Sequence, residues 1–66
     1  MNNSNNETLY TIKRFFYNSN KDIETNNYYK DVCVGFAPCT MEEAQVLLTK
    51  LTNYNLAINR IVKCDN

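Results

Sequence analysis

The sequence predicts an α+β fold: a three-stranded antiparallel or mixed sheet in the order 2-1-3, with one helix packed on one face. Three observations carry this. Two segments rich in β-branched and aromatic residues, Thr8 to Tyr17 and Tyr28 to Phe36, read as strands. An amphipathic stretch opening on a capping box follows them, and the chain then returns to strand character in "LAINRIVK", Leu56 to Lys63. The chain order is therefore β-β-α-β.

Met1 to Glu7 is polar and without periodicity, so residues 1–7 are expected to form a disordered tail and 8–64 a single small domain. "NSNKDIETNN", Asn18 to Asn27, reads as a polar connection too long for a tight two-residue hairpin, with Ile23 able to pin it to the body. Pro38 cannot continue a ladder, and Thr40 sits where an N-cap belongs, with Glu43 three residues on. Met41, Ala44, Leu47, Leu48 and Leu51 recur at helical spacing and form one apolar stripe. Asn53 or Asn55 is expected to stop the helix in the left-handed conformation. A helix returning from the second strand lets the third lie antiparallel to the first on its free edge, by a right-handed crossover. The alternative is a hairpin whose last strand is swapped to a second chain.

In "TIKRFFY", Thr11 to Tyr17, three consecutive aromatics must point alternately to both faces of the strand. Tyr10, Ile12 and Phe16, with Val32, Val34 and Phe36 and with Ile58 and Val62, would lie under the helix. On the last strand the opposite parity, Ala57, Asn59 and Ile61, is also possible. The other face would then hold Phe15, Tyr17, Tyr29, Cys33 and Ile61, more apolar groups than a solvated face carries. Those five are the candidate interface, usually a symmetric dimer. The plainer reading is that aromatics raise strand propensity and pair across the sheet.

Composition excludes several classes. Sixty-six residues with zero formal net charge argue against a binder of long nucleic acid, and against an acidic mimic of DNA. A core this small yields at best about 3–5 kcal/mol, so self-association is a natural supplement. No charged, apolar leader precedes the first strand and no apolar run is long enough to span a bilayer. The expected setting is cytoplasm, without a membrane partner, where Cys33, Cys39 and Cys64 stay reduced. The abundant asparagine is put down to AT-rich codons.

Histidine is absent, which removes Ser-His-Asp and Cys-His catalysis and every His-containing metal site. Glu42 and Glu43 are adjacent and point apart around a helix, so capping explains them better than acid-base work. With no glycine-rich phosphate loop either, no catalytic residue, metal site or cofactor is expected, and the chain is read as no enzyme. One constellation stands apart. Lys13, Arg14 and Arg60 lie on strands among Tyr10 and Tyr28, the cations and rings that hold phosphates and stack bases. A small anionic nucleotide held between two copies is the ligand this would suit.

The aromatic hairpin followed by "CTMEEAQVL" is similar to very small phage-encoded accessory and anti-defence proteins, whose hairpin runs into an [ST]-x-E-E-A helix. The resemblance covers Thr8 to Leu51 and transfers no functional residue. It implies a compact, oligomeric protein that inhibits a host component by direct binding in the host cytoplasm. The alternatives are an oligomeric sponge for a signalling nucleotide, and a structural or assembly subunit.

Overall fold

The computed structural model describes residues 8–64, so the expected tail at 1–7 lies outside the described residues. The elements are β1 (Tyr10–Phe16), α1 (Asn20–Thr25), β2 (Lys30–Cys33), α2 (Met41–Lys50) and β3 (Ala57–Lys63). The sheet runs β2-β1-β3, and β1 is antiparallel to both neighbours. This is the predicted fold class and strand order, with β3 paired to β1 of its own chain.

Register decides the faces, because residues directly opposite share one. Ile12 faces Ile61, Arg14 faces Asn59 and Phe16 faces Ala57, with Val32 and Lys30 opposite Arg14 and Phe16 on β2. Lys13 faces Arg60 and Phe15 faces Ile58, with Cys33 and Asp31 opposite them on β2. The first set is the helix-bearing face: Ile12, Ala57 and Asn59 are buried there, and the segment following α2 bonds Asn59. On β3 the parity is thus Ala57, Asn59 and Ile61, which moves Ile61 under the helix and Ile58, Arg60 and Val62 to the far side. A seven-residue strand fits either way by sequence; in the fold Ala57 and, on α2, Ala44 are buried.

α2 forms as its sequence dictates. Glu43 N–H donates to Thr40 Oγ1 at 3.2 Å and Thr40 N–H donates to Glu43 Oε1 at 3.1 Å, a closed capping box. Its end differs from expectation. Leu51 caps in an extended conformation, and the left-handed residue is Leu56 (φ 64°), in the turn where Ala57 N–H donates to the Tyr54 carbonyl at 3.0 Å. Asn53 acts through its side chain instead, accepting from Asn59 N–H at 2.8 Å.

Two further departures shape the surface. The segment read as a connection contains α1, capped at Ser19 and ended by Asn26 at φ 59°. The second strand is also shorter than Tyr28 to Phe36. Val34 N–H reaches the Ile12 carbonyl at 3.0 Å, in register, but Tyr10 then pairs with Cys39, so three extra residues loop out of the ladder. Gly35 permits this excursion at φ 103°, and Thr11 Oγ1 donates to the Phe36 carbonyl at 3.2 Å beneath it.

Candidate functional site

The face expected to be open at Phe15 and Tyr17 is closed by the chain itself. Phe15 is 8% exposed and Tyr17 3%. Tyr28 meets Phe15 edge-on with ring centroids 4.5 Å apart and stands 6.4 Å from Tyr17. The Tyr17 hydroxyl donates to Asn26 Oδ1 at 3.3 Å, tying the strand end to the end of α1. As a polar connection pinned only by Ile23, Asn18 to Asn27 gives no expectation of a cover over this face. Ser19 with Asp22 three residues on, and Asn26 before Asn27, are the cap and stop signals that mark a short helix there.

The candidate interface residues accordingly separate. Phe15 and Tyr17 are internal, and Ile61 lies opposite Ile12 under the helix. Cys33 is exposed on the Phe15 face. Tyr29 is exposed, but its ring stands 6.4 Å from Phe16, on the helix-bearing side.

The candidate ligand residues separate as well. Lys13 and Arg60 are direct neighbours on one face, whereas Arg14 is on the other. Tyr28 is occupied in covering Phe15, and Tyr10 sits at the far end of β1 opposite Lys63. Lys13 Nζ lies 3.5 Å from Asp31 Oδ2, the only ion pair among the described residues.

What remains open is half of the helix-bearing face. α2 packs on β3 and β1 and scarcely touches β2. Val32 is therefore 37% exposed, with Lys30 beside it, and Tyr29 (61%) stands at the rim near half-buried Phe16. On the helix side the strip ends at Arg14 and Tyr54. Arg14 Nε donates to Asn59 Oδ1 at 2.9 Å, and its guanidinium carbon lies 4.4 Å from the centre of the Tyr54 ring, itself 57% exposed. Asn59 is held in turn, its Nδ2 donating to the Thr52 carbonyl at 3.1 Å. Helix exit, strand and guanidinium are locked together.

The sulfurs offer no reactive centre of the usual kind. Cys39 is half-buried, and desolvation, then the Glu43 carboxylate and the Cys64 thiol, push its pKa above the ordinary value, which disfavours the thiolate. Among the described residues no three His, Cys, Asp or Glu side chains cluster as a metal site, and no helix is long and apolar enough to cross a membrane. Compared with protein-family models, curated proteins and solved structures, the chain matches none.

Proposed function

We propose that this is a non-catalytic binding protein that acts by docking on another protein through the uncovered strip Phe16, Tyr29, Lys30, Val32, Arg14 and Tyr54. One observation carries the reading: the helix packs on two of the three strands, leaving Val32 exposed on the third and Tyr29 exposed just before it. The strip is open and shallow, which suits a protein surface better than a small ligand, whose sites bury most of its area. Tyrosine and arginine, which border the strip, are among the residue types that dominate protein interfaces. Occupying a host component in this way is the role the resemblance to phage accessory proteins suggests, with the host cytoplasm as its setting.

The test uses a photo-crosslinking residue at position 32, with position 46 as control, since Val46 is also exposed but lies on the helix away from the strip. In cells making the protein, position 32 captures one partner that position 46 does not. The purified partner then loses affinity for Val32→Glu by at least about tenfold, or 1.4 kcal/mol. Equal capture from both positions, or equal affinity for the variant, overturns the reading.

Two observations favour additional readings. Only Ile12, Phe15, Tyr17, Ala44 and Ala57 are buried apolar residues among those described, a thin core that self-association would reinforce. Lys13 and Arg60, like charges directly opposite on one face, would be eased by a bound anion such as a nucleotide phosphate. Native mass measurement tests the first. Calorimetry with cyclic and linear nucleotides tests the second, and no heat at micromolar concentration removes it.

A further inference from the structure

Arg14 is held from two sides, yet among the described residues it has no counter-ion. Its Nε donates to Asn59 at 2.9 Å, and its Cζ lies over the Tyr54 ring, 4.4 Å from the centroid. Asn59 is itself held by Thr52 and Asn53, so the guanidinium rests on a buried amide bonded through both its oxygen and its nitrogen rather than on a mobile surface group. No carboxylate among the described residues pairs with it, and none of them accepts from its two Nη groups. A guanidinium with its Nε engaged and its carbon over an aromatic ring has lost much of its rotamer freedom before any ligand arrives. Its distal edge is then a preformed pair of parallel donors with the geometry of a carboxylate.

We propose that Arg14 is the anchor of the strip and that it takes a carboxylate side chain, aspartate or glutamate, from the protein that docks there. The inference rests on the strip being the docking surface and names the chemistry that surface selects. A single fixed fork flanked by Val32 directly opposite, by Phe16 one row on and by Tyr29 at the rim suits a monoanion next to an apolar group. A phosphate dianion is less well served: Lys13 and Arg60 lie on the opposite face, and the cations on this one, Lys30 and Lys63, stand opposite Phe16 and Tyr10 rather than Arg14. The chain's zero net charge likewise gives a polyanion no long-range attraction. The partner segment is therefore acidic and apolar in alternation, with its carboxylate over Arg14 and its apolar neighbour over Val32 and Tyr29.

The probes are N-acetyl-phenylalanine, phenyl phosphate and the neutral N-acetyl-phenylalanine amide, titrated separately and followed by NMR at the Arg14 side chain and the Val32 methyls. The carboxylate is expected to saturate with millimolar affinity, moving Arg14, Val32 and Tyr54 together, while the amide moves none of them. Arg14→Lys keeps the charge but loses the fork, and is expected to weaken the carboxylate about tenfold. Val32→Glu leaves Arg14 and Asn59 in place and abolishes the response, which guards against a misfolded lysine variant. Equal binding of acid and amide, or an unchanged affinity in Arg14→Lys, overturns the anchor. Phenyl phosphate binding more than tenfold tighter than the acid overturns the choice of carboxylate. If the partner captured at position 32 binds Arg14→Lys as tightly as the native chain, the docking strip stands and the anchor falls.

Discussion

Phe15 and Tyr28 meet edge to face, with ring centroids 4.5 Å apart and planes at 76°. Phe15 comes from the central strand and Tyr28 from the chain returning out of α1. Their contact is what turns a second apolar sheet face into interior. Truncating Tyr28 to alanine uncovers Phe15 and Tyr17 and is expected to cost about 1–2 kcal/mol, and Phe15→Ala about 3–4 kcal/mol. Urea unfolding of both singles and the double variant checks this. The double is expected to fall short of the sum by about 0.5–1.5 kcal/mol, the coupling of an aromatic pair.

Asn59 is a buried polar group bonded through both its amide oxygen and its amide nitrogen, and removing its side chain strands two partners at once. Asn59→Ala leaves the Thr52 carbonyl and the Arg14 Nε without their bonds and is expected to cost about 1–3 kcal/mol. Amide exchange distinguishes this from a general loosening. Protection is lost first in the turn from Asn53 to Ala57, while α1 is unaffected.

The capping box offers a reciprocal pair. Thr40→Ala is expected to cost about 1 kcal/mol, because it frees the Glu43 N–H at the start of α2. Glu43→Ala alone costs less, since only the Thr40 N–H and the favourable charge at the helix start are lost. The two are non-additive in unfolding experiments, since either change opens the box.

Cys39 makes stability depend on alkaline pH in a definite direction. Its folded pKa lies above the ordinary value of 9.0, chiefly through desolvation, so the folded state holds that proton more tightly than the unfolded one. Its contribution is therefore complete below the ordinary value and is lost as pH rises through the folded one. The stability difference between the native chain and Cys39→Ala should be flat up to about pH 8 and then turn against the native chain. A thiol reagent near neutral pH should label exposed Cys33 before half-buried Cys39.

Much of this fold is legible in the residues. The strand order followed from two aromatic segments, a capped amphipathic helix and the geometry of a return crossover, all of which are local or topological facts. The parity of β3 was not: Ile58 and Val62 look the more apolar pair, yet the register with β1 puts Ala57, Asn59 and Ile61 under the helix. The site was less legible for a related reason. Tyr28 and Tyr29 are adjacent and look alike, yet one covers Phe15 and the other stands by Phe16 on the opposite side. A six-residue helix between them and β1 makes that difference, and its signals are two short polar caps inside an asparagine-rich run. Arg14 could be picked out as a cation among aromatics, but its fixed posture depends on Asn59, 45 residues away in sequence.

The central claim is that this chain closes one apolar sheet face with its own residues and leaves the β2 half of the other open. Relaxation enhancement by a soluble, uncharged gadolinium chelate, read at aromatic and methyl protons, tests it most directly. Strong broadening of Tyr29, Tyr54 and Val32, with Phe15 and Tyr17 spared, is the predicted result. Broadening of Phe15 and Tyr17 to the same degree as Tyr29, or protection of Val32 and Tyr54 in the isolated protein, would contradict it.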